Sequence, residues 1–124
     1  MKKLFLILAL VTTASAQDIT TLEKIGPITR FDRAANHVTF HCADNSQVRL
    51  SILAPDLIRV RASFTKPIPA KDHSWAIAKD DWQTPRWNLT ESPAAITVIT
   101  DELEVVVRRS PLLIEFRDAR THQV

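Results

Sequence analysis

Residues 47–64 read QVRLSILAPDLIRVRASF. Val48, Leu50 and Ile52 alternate with Gln47, Arg49 and Ser51. Beyond Ala54-Pro55-Asp56, the apolar set Ile58, Val60, Ala62 and Phe64 alternates with Arg59, Arg61 and Ser63. Successive side chains of a strand point to opposite faces. A period of two on each side of a Pro-Asp turn therefore predicts two half-buried strands in a hairpin.

The same signal extends in both directions. Upstream, residues 25–31 and 37–41 are expected strands, separated by a turn at Asp32-Arg33-Ala34-Ala35-Asn36. Ala43-Asp44-Asn45-Ser46 turns the chain again, because Asp, Asn and Ser bond their own nearby backbone. Downstream, Ile96 and Val98, then Leu103, Val105 and Val107, then Leu112, Ile114 and Phe116 each keep the two-residue period, with Ser110-Pro111 between the last two runs. Residues 65–94 hold Pro67, Pro69, Pro85 and Pro93. Proline removes a ladder donor, so a long irregular segment is expected there, with a short strand at 74–78. No segment carries a helical period. Short alternating strands with turns between them predict an all-β, antiparallel β-sandwich. Gly26 is the only glycine, so the turns must rely on Asp, Asn and Pro.

The N-terminus has a different character. Met1-Lys2-Lys3 precedes the apolar run LFLILALV at 4–11, and Ala14-Ser15-Ala16 supplies small residues. This pattern predicts a signal peptide with cleavage after Ala16 and a secreted or periplasmic product. The run is too short to span a bilayer, which takes about 20 residues. Cutting 16 of the 124 residues leaves 108 for one domain, residues 17–124, and removes two of the 16 basic side chains, leaving 14 against 14 acidic. The sequence pI of about 9.0 thus belongs mostly to the leader. A neutral mature chain offers no basic footprint for nucleic acid. Cys42 is the only cysteine and cannot close an internal disulfide; burial in a strand is its expected state.

Several chemistries are excluded outright. Phosphate-cradling loops and nucleophile elbows need several glycines, and there is one. His37, His41 and Cys42 do not make a metal site, since 37 and 41 share a strand face and 42 points away, and zinc takes three or four placed ligands. Asp80-Asp81 are adjacent acids that diverge in direction on extended chain, and solvated turn acids are expected. Arg59 and Arg61 lie on the polar face of their strand, facing solvent or an interface. Asn88-Leu89-Thr90 fits a glycosylation sequon.

The order of an apolar strand, a short turn and Leu57-Ile58-Arg59-Val60-Arg61 resembles the N-terminal β-sandwich of glycoside hydrolase family 31, the α-glucosidase and α-xylosidase family. Residues 100–107, Ser110-Pro111 and residues 112–118 continue the resemblance, which covers about 38–118. The family's next turn bears a glycine, whereas Ala119-Arg120-Thr121-His122 has none. The resemblance implies a galactose mutarotase-like fold and a retaining catalytic barrel downstream, whose two carboxyls lie about 5 Å apart. The family's nucleophile motif is of the type Trp-x-Asp-Met. Trp75, Trp82 and Trp87 are followed by Ala-Ile, Gln-Thr and Asn-Leu, so no catalytic residue carries over and no cofactor or metal is implied. The expected role is that of a non-catalytic front domain, ending short of the complete sandwich, that contacts carbohydrate only through the complete enzyme. Trp75, Trp82 and Trp87 are the candidate substrate-binding residues, since indole faces stack on sugars and the resemblance brings a loop of this region toward the active-site mouth. The alternative reading is a free-standing secreted sandwich that binds a glycan or a partner protein.

Overall fold

The structure is a computed structural model and describes residues 24–64, 67–69 and 81–124. The leader and the expected strand at 74–78 lie outside the described residues. Among the described residues, eight strands form two antiparallel sheets. The first holds β1 (Ile28–Arg33), β2 (His37–Cys42), β3 (Gln47–Ala54) and β4 (Leu57–Ser63) in that order. The second holds β5 (Asn88–Glu91), β6 (Ala95–Ile99), β7 (Leu103–Arg109) and β8 (Leu112–Asp118), again in chain order. Each sheet is a simple meander. Among the described residues no helix is long and apolar enough to cross a membrane.

The alternation that marks the strands also builds the core. Val38 and Phe40 from β2, Val48, Leu50 and Ile52 from β3, Ile96 and Val98 from β6, and Val105 and Val107 from β7 join one apolar cluster between the sheets. All of them are at most 1% exposed. Burial of such side chains stabilises a fold by about 1.5–3 kcal/mol each. Cys42 belongs to the same cluster as a free, buried thiol, and burial pushes its pKa up.

Three expectations are corrected. The first strand is Ile28–Arg33 rather than 25–31, so the turn shrinks to Ala34-Ala35-Asn36, closed by Ala34 N–H donating to the His37 carbonyl at 2.8 Å. The segment expected to be irregular through residue 94 contains β5, a four-residue edge strand in which only Leu89 reaches the core. Its shortness and single apolar anchor leave no visible period. Finally, the apolar face of β4 is not evenly half-buried. Ile58 is 8% exposed, but Val60 is 42% and Phe64 59% exposed. Alternation assigns a face; it does not place a neighbour against it.

The turns follow the near-absence of glycine. Asn45 takes the left-handed conformation in the β2–β3 turn, at φ 67°, where Asn is tolerated. His122 takes it at φ 58°, in the last turn, where the resemblance led one to look for glycine. That turn is held by Asp118, whose Oδ1 accepts from the backbone N–H of Arg120 at 2.8 Å and of Thr121 at 2.9 Å. The His122 ring pairs with Glu104 at 2.8 Å. Gly26 has its own reason to be glycine: its N–H reaches Asp44 Oδ2 at 2.7 Å, and a Cβ there would lie 3.1 Å from Asp44.

Asp44 ties this end together. Its Oδ1 also accepts from Ser46 Oγ at 2.6 Å and from Ser46 N–H at 3.0 Å. Hydrogen bonds from the Ser46 side chain, then from the Gly26 and Ser46 backbone, hold its carboxyl below the ordinary value of 3.8. A carboxyl depressed in the folded state stabilises above its unfolded pKa, and that contribution is lost as pH falls through the folded value. Acid unfolding of Asp44→Asn is therefore expected to show a shallower dependence on pH below about 4, by up to one proton. Parallel profiles for the two proteins would contradict the assignment.

Candidate functional site

Three places on this scaffold bear on function: the tryptophans, the outer face of the first sheet, and the side on which β4 and β8 end the two sheets.

Trp75 lies outside the described residues. Trp82 is half-buried and engaged in an interaction. Trp87, just before β5, is half-buried and packs against the core. Its Nε1–H donates to the Ala35 carbonyl at 2.9 Å, and the Arg33 guanidinium stands 4.2 Å from its ring centroid. Trp87 therefore fastens the β1–β2 turn of one sheet to the entry of the other. Thr100 makes a matching fastening beyond β6: its Oγ1 donates to the Pro55 carbonyl of the β3–β4 turn at 2.5 Å.

The outer face of the first sheet is polar and partly covered. Arg49 of β3 stands directly opposite Arg61 of β4. Like charges in that position repel, and both find acceptors: Arg49 Nε donates to Thr39 Oγ1 at 2.9 Å, and Arg61 to the Pro69 carbonyl at 2.8 Å. Residues 67–69 lie against this face, with Ile68 only 6% exposed and its N–H donating to Gln47 Oε1 at 3.2 Å. Burial, then Arg49 and Arg61, push the pKa of neighbouring His37 down. The position of Arg59 and Arg61 on the polar face is as the alternation predicts, and Arg61 takes part in holding this segment.

Toward the β1 edge, Asp32, His41 and Arg30 form a closed cluster. His41 Nε2 lies 2.7 Å from Asp32 Oδ2, Arg30 donates to both oxygens of Asp32 at 2.9 and 3.0 Å, and its second nitrogen lies 3.3 Å from His41 Nδ1. The His41 bond, then the Arg30 bond, hold the Asp32 carboxyl down. His37 and His41 face outward while Cys42 faces the core. Among the described residues no group of three or more His, Cys, Asp or Glu is placed to hold a metal. Sequence reasoning missed this cluster, because Asp32 was read as part of a turn. With β1 ending at Arg33, Asp32 pairs across the ladder with Thr39, on the face of His41.

The carboxyls moved by their surroundings, Asp32, Asp44, Glu115 and Asp118, all move down. They are held as anions by hydrogen bonds and arginines. A general acid in glycoside hydrolysis requires the opposite shift. Asp81 is exposed, and Asp80 lies outside the described residues.

On the third side, among the described residues, the inner faces of β4 and β8 are partly exposed. Val60 follows Ile58 on the inner face of β4, Phe64 lies just past the end of that strand, and Phe116 of β8, 37% exposed, stands opposite buried Val105 of β7. A cleft at one end of this region is lined by Asp56, Glu102, Leu103, Phe116, Arg117 and the final residues.

Comparisons with known proteins give the family and the fold. The model of the glycosyl hydrolase 31 N-terminal galactose mutarotase-like domain matches residues 47–124. A Flavobacterium johnsoniae GH31 dextranase, FjDex31A, solved in complex with glucose, superposes with a TM-score of 0.71 at 21% identity, over 82% of this chain and 13% of its own. A mutant of the same dextranase complexed with isomaltotriose gives the same values. The protein lmo2446 of Listeria monocytogenes EGD-e, solved with α- and β-D-glucose, magnesium and calcium, superposes with a TM-score of 0.61 at 16% identity, over 77% of this chain and 9% of its own. At these identities the likeness is one of fold. The chain thus spans about an eighth or less of the length of these solved proteins. No curated protein matches the sequence.

Proposed function

The chain belongs to the glycosyl hydrolase 31 N-terminal galactose mutarotase-like domain family, and from that premise we propose that it serves as the non-catalytic front domain of a secreted or periplasmic α-glucosidase-like enzyme. In this reading it supports a catalytic barrel that follows it and helps shape the entrance for an α-linked sugar. The observation that carries the reading is the family match over residues 47–124, on a fold shared with a dextranase. The leader at residues 1–16 is taken to direct export, with cleavage after Ala16; the mass of the exported product tests this.

The chain purified alone is expected to leave aryl α-glucosides and isomaltotriose intact. Turnover that follows the protein through purification would overturn the reading.

Trp82 is the first candidate for contact with substrate, with Trp75 and Trp87 beside it in the sequence. Aromatic stacking is worth about 0.5–1.5 kcal/mol, a factor of roughly two to ten. In the complete enzyme, Trp82→Ala is expected to raise KM for oligosaccharides by that factor while sparing kcat. An unchanged KM would remove Trp82 from the entrance.

A further inference from the structure

We propose that Arg30, Asp32 and His41 form a proton-operated clasp between β1 and β2: neutral His41 holds the Arg30 guanidinium, and protonated His41 keeps Asp32 but releases Arg30 to solvent. The ring of contacts fixes where the hydrogen sits. A guanidinium only donates, and an ionised carboxylate only accepts. Arg30 Nη2 lies 3.3 Å from His41 Nδ1, so Nδ1 is the acceptor. Asp32 Oδ2 lies 2.7 Å from Nε2, so Nε2 carries the hydrogen. Only the neutral imidazole with its hydrogen on Nε2 satisfies both neighbours. A second proton, on Nδ1, sets donor against donor and places two cations 3.3 Å apart. The Nε2–H bond to Asp32 survives that change and becomes an ion pair. Arg30, whose side chain is 61% exposed, is the member that leaves.

The backbone brings the three groups together through a bulge. Ile28 of β1 stands opposite Cys42 of β2, and the next pair is Arg30 opposite His41, so Thr29 is an extra residue. Without it, Thr29 would stand opposite His41, and Arg30 would stand opposite fully buried Phe40, on the core side. Bulges re-aim side chains in this way and are frequent beside functional sites. The Thr29 hydroxyl donates to the His41 carbonyl at 3.0 Å, which ties the bulge to the residue it serves.

The other polar groups around His41 have partners of their own. Gln47 of β3, directly opposite His41, is uncharged and accepts from Ile68 N–H. Arg49 of β3 is turned to Thr39 Oγ1 at 2.9 Å. His37, on the same face of β2, has its Nδ1 2.8 Å from Asn36 Oδ1. Asp44, in the β2–β3 turn, is taken up by Gly26 and Ser46. Arg33 of β1 lies over the Trp87 ring. Pro67, which shares a cleft with Arg30 and His41, brings no charge. Among the described residues, Arg30 and Asp32 are thus the charged groups bonded to the His41 ring.

The test is nitrogen NMR of the 124-residue chain at about pH 8 and about pH 5, on either side of the ordinary histidine value of about 6.5. Asp32, held below 3.8 by its bonds to His41 and Arg30, stays ionised at both. At the higher pH the His41 ring should be neutral with its hydrogen on Nε2. The two Arg30 Nη signals should be distinct, because a held guanidinium rotates slowly. At the lower pH both His41 nitrogens should carry hydrogen and the Arg30 signals should merge. A hydrogen on Nδ1 at about pH 8, a ring still neutral at about pH 5, or Arg30 signals that are the same at both would overturn the proposal. Arg30→Met gives a second reading on an exposed position. It removes the cation that opposes the second proton, so acid should protonate His41 at a higher pH than in the parent. An unchanged profile in that variant would equally overturn the clasp.

Discussion

Phe40→Ala is expected to destabilise the domain by about 3–5 kcal/mol, the range for emptying a buried aromatic site. Phe40 sits in the middle of β2, fully buried, opposite Val48 of β3 and Phe31 of β1. Its ring centroid lies 6.4 Å from that of Phe31, tilted by 53°, within the range of favourable aromatic pairs. The surrounding side chains come from four strands whose backbones are locked in ladders, so the cavity collapses little. Small domains have only about 5–15 kcal/mol in total, so much of the stability goes with this one ring. Phe64→Ala is the matched control. That ring is 59% exposed, and its loss should cost no more than about 0.5 kcal/mol, as for other surface changes. Urea unfolding of the two variants, followed by circular dichroism, measures both. A Phe40→Ala cost as small as that of Phe64→Ala would contradict the placement of the core.

Trp87→Ala carries the second large effect, about 2–4 kcal/mol. A fully buried Trp→Ala change costs about 3–5 kcal/mol, and Trp87 is half-buried, so the lower part of the range applies. Three interactions are lost together: packing against the core, the hydrogen bond to the Ala35 carbonyl, and the Arg33 guanidinium over the ring. The last two tie the β1–β2 turn to the second sheet. Trp87→Phe separates the contributions. It keeps an aromatic ring for packing and stacking and removes the N–H donor, so it should cost about 1 kcal/mol. If Trp87→Ala behaves like an ordinary surface substitution, within about 0.5 kcal/mol, then the indole does not fasten the sheets.

The hairpin at residues 47–64 was legible in the sequence because its alternation is unbroken on both sides of Pro55-Asp56. The observed register, with Leu50 opposite Val60 and Ile52 opposite Ile58, is the one that keeps both apolar sets on one face. The meander of β6, β7 and β8 was legible for the same reason. What a local period cannot carry is contact between distant segments. Trp87 meets Ala35 across 52 residues, and Thr100 meets Pro55 across 45; neither residue has a sequence signature for its partner. The Asp32–His41–Arg30 cluster depended on β1 running two residues further than its apolar pattern, which ends at Phe31. His122 at positive φ shows a turn whose shape survives without glycine, because Asp118 and Glu104 hold it from two sides. The exposed inner face of β4 is the plainest limit. Val60 and Phe64 have the pattern of core residues, but a core also needs a second layer against it.

The measurement that tests the central claim most directly is the nucleotide sequence beyond the codon for Val124. The account predicts a reading frame that continues in phase into a barrel carrying a Trp-x-Asp-Met type stretch and a second catalytic acid. An authentic stop codon at that point, with an exported product whose mass ends at Val124, would contradict the role of front domain.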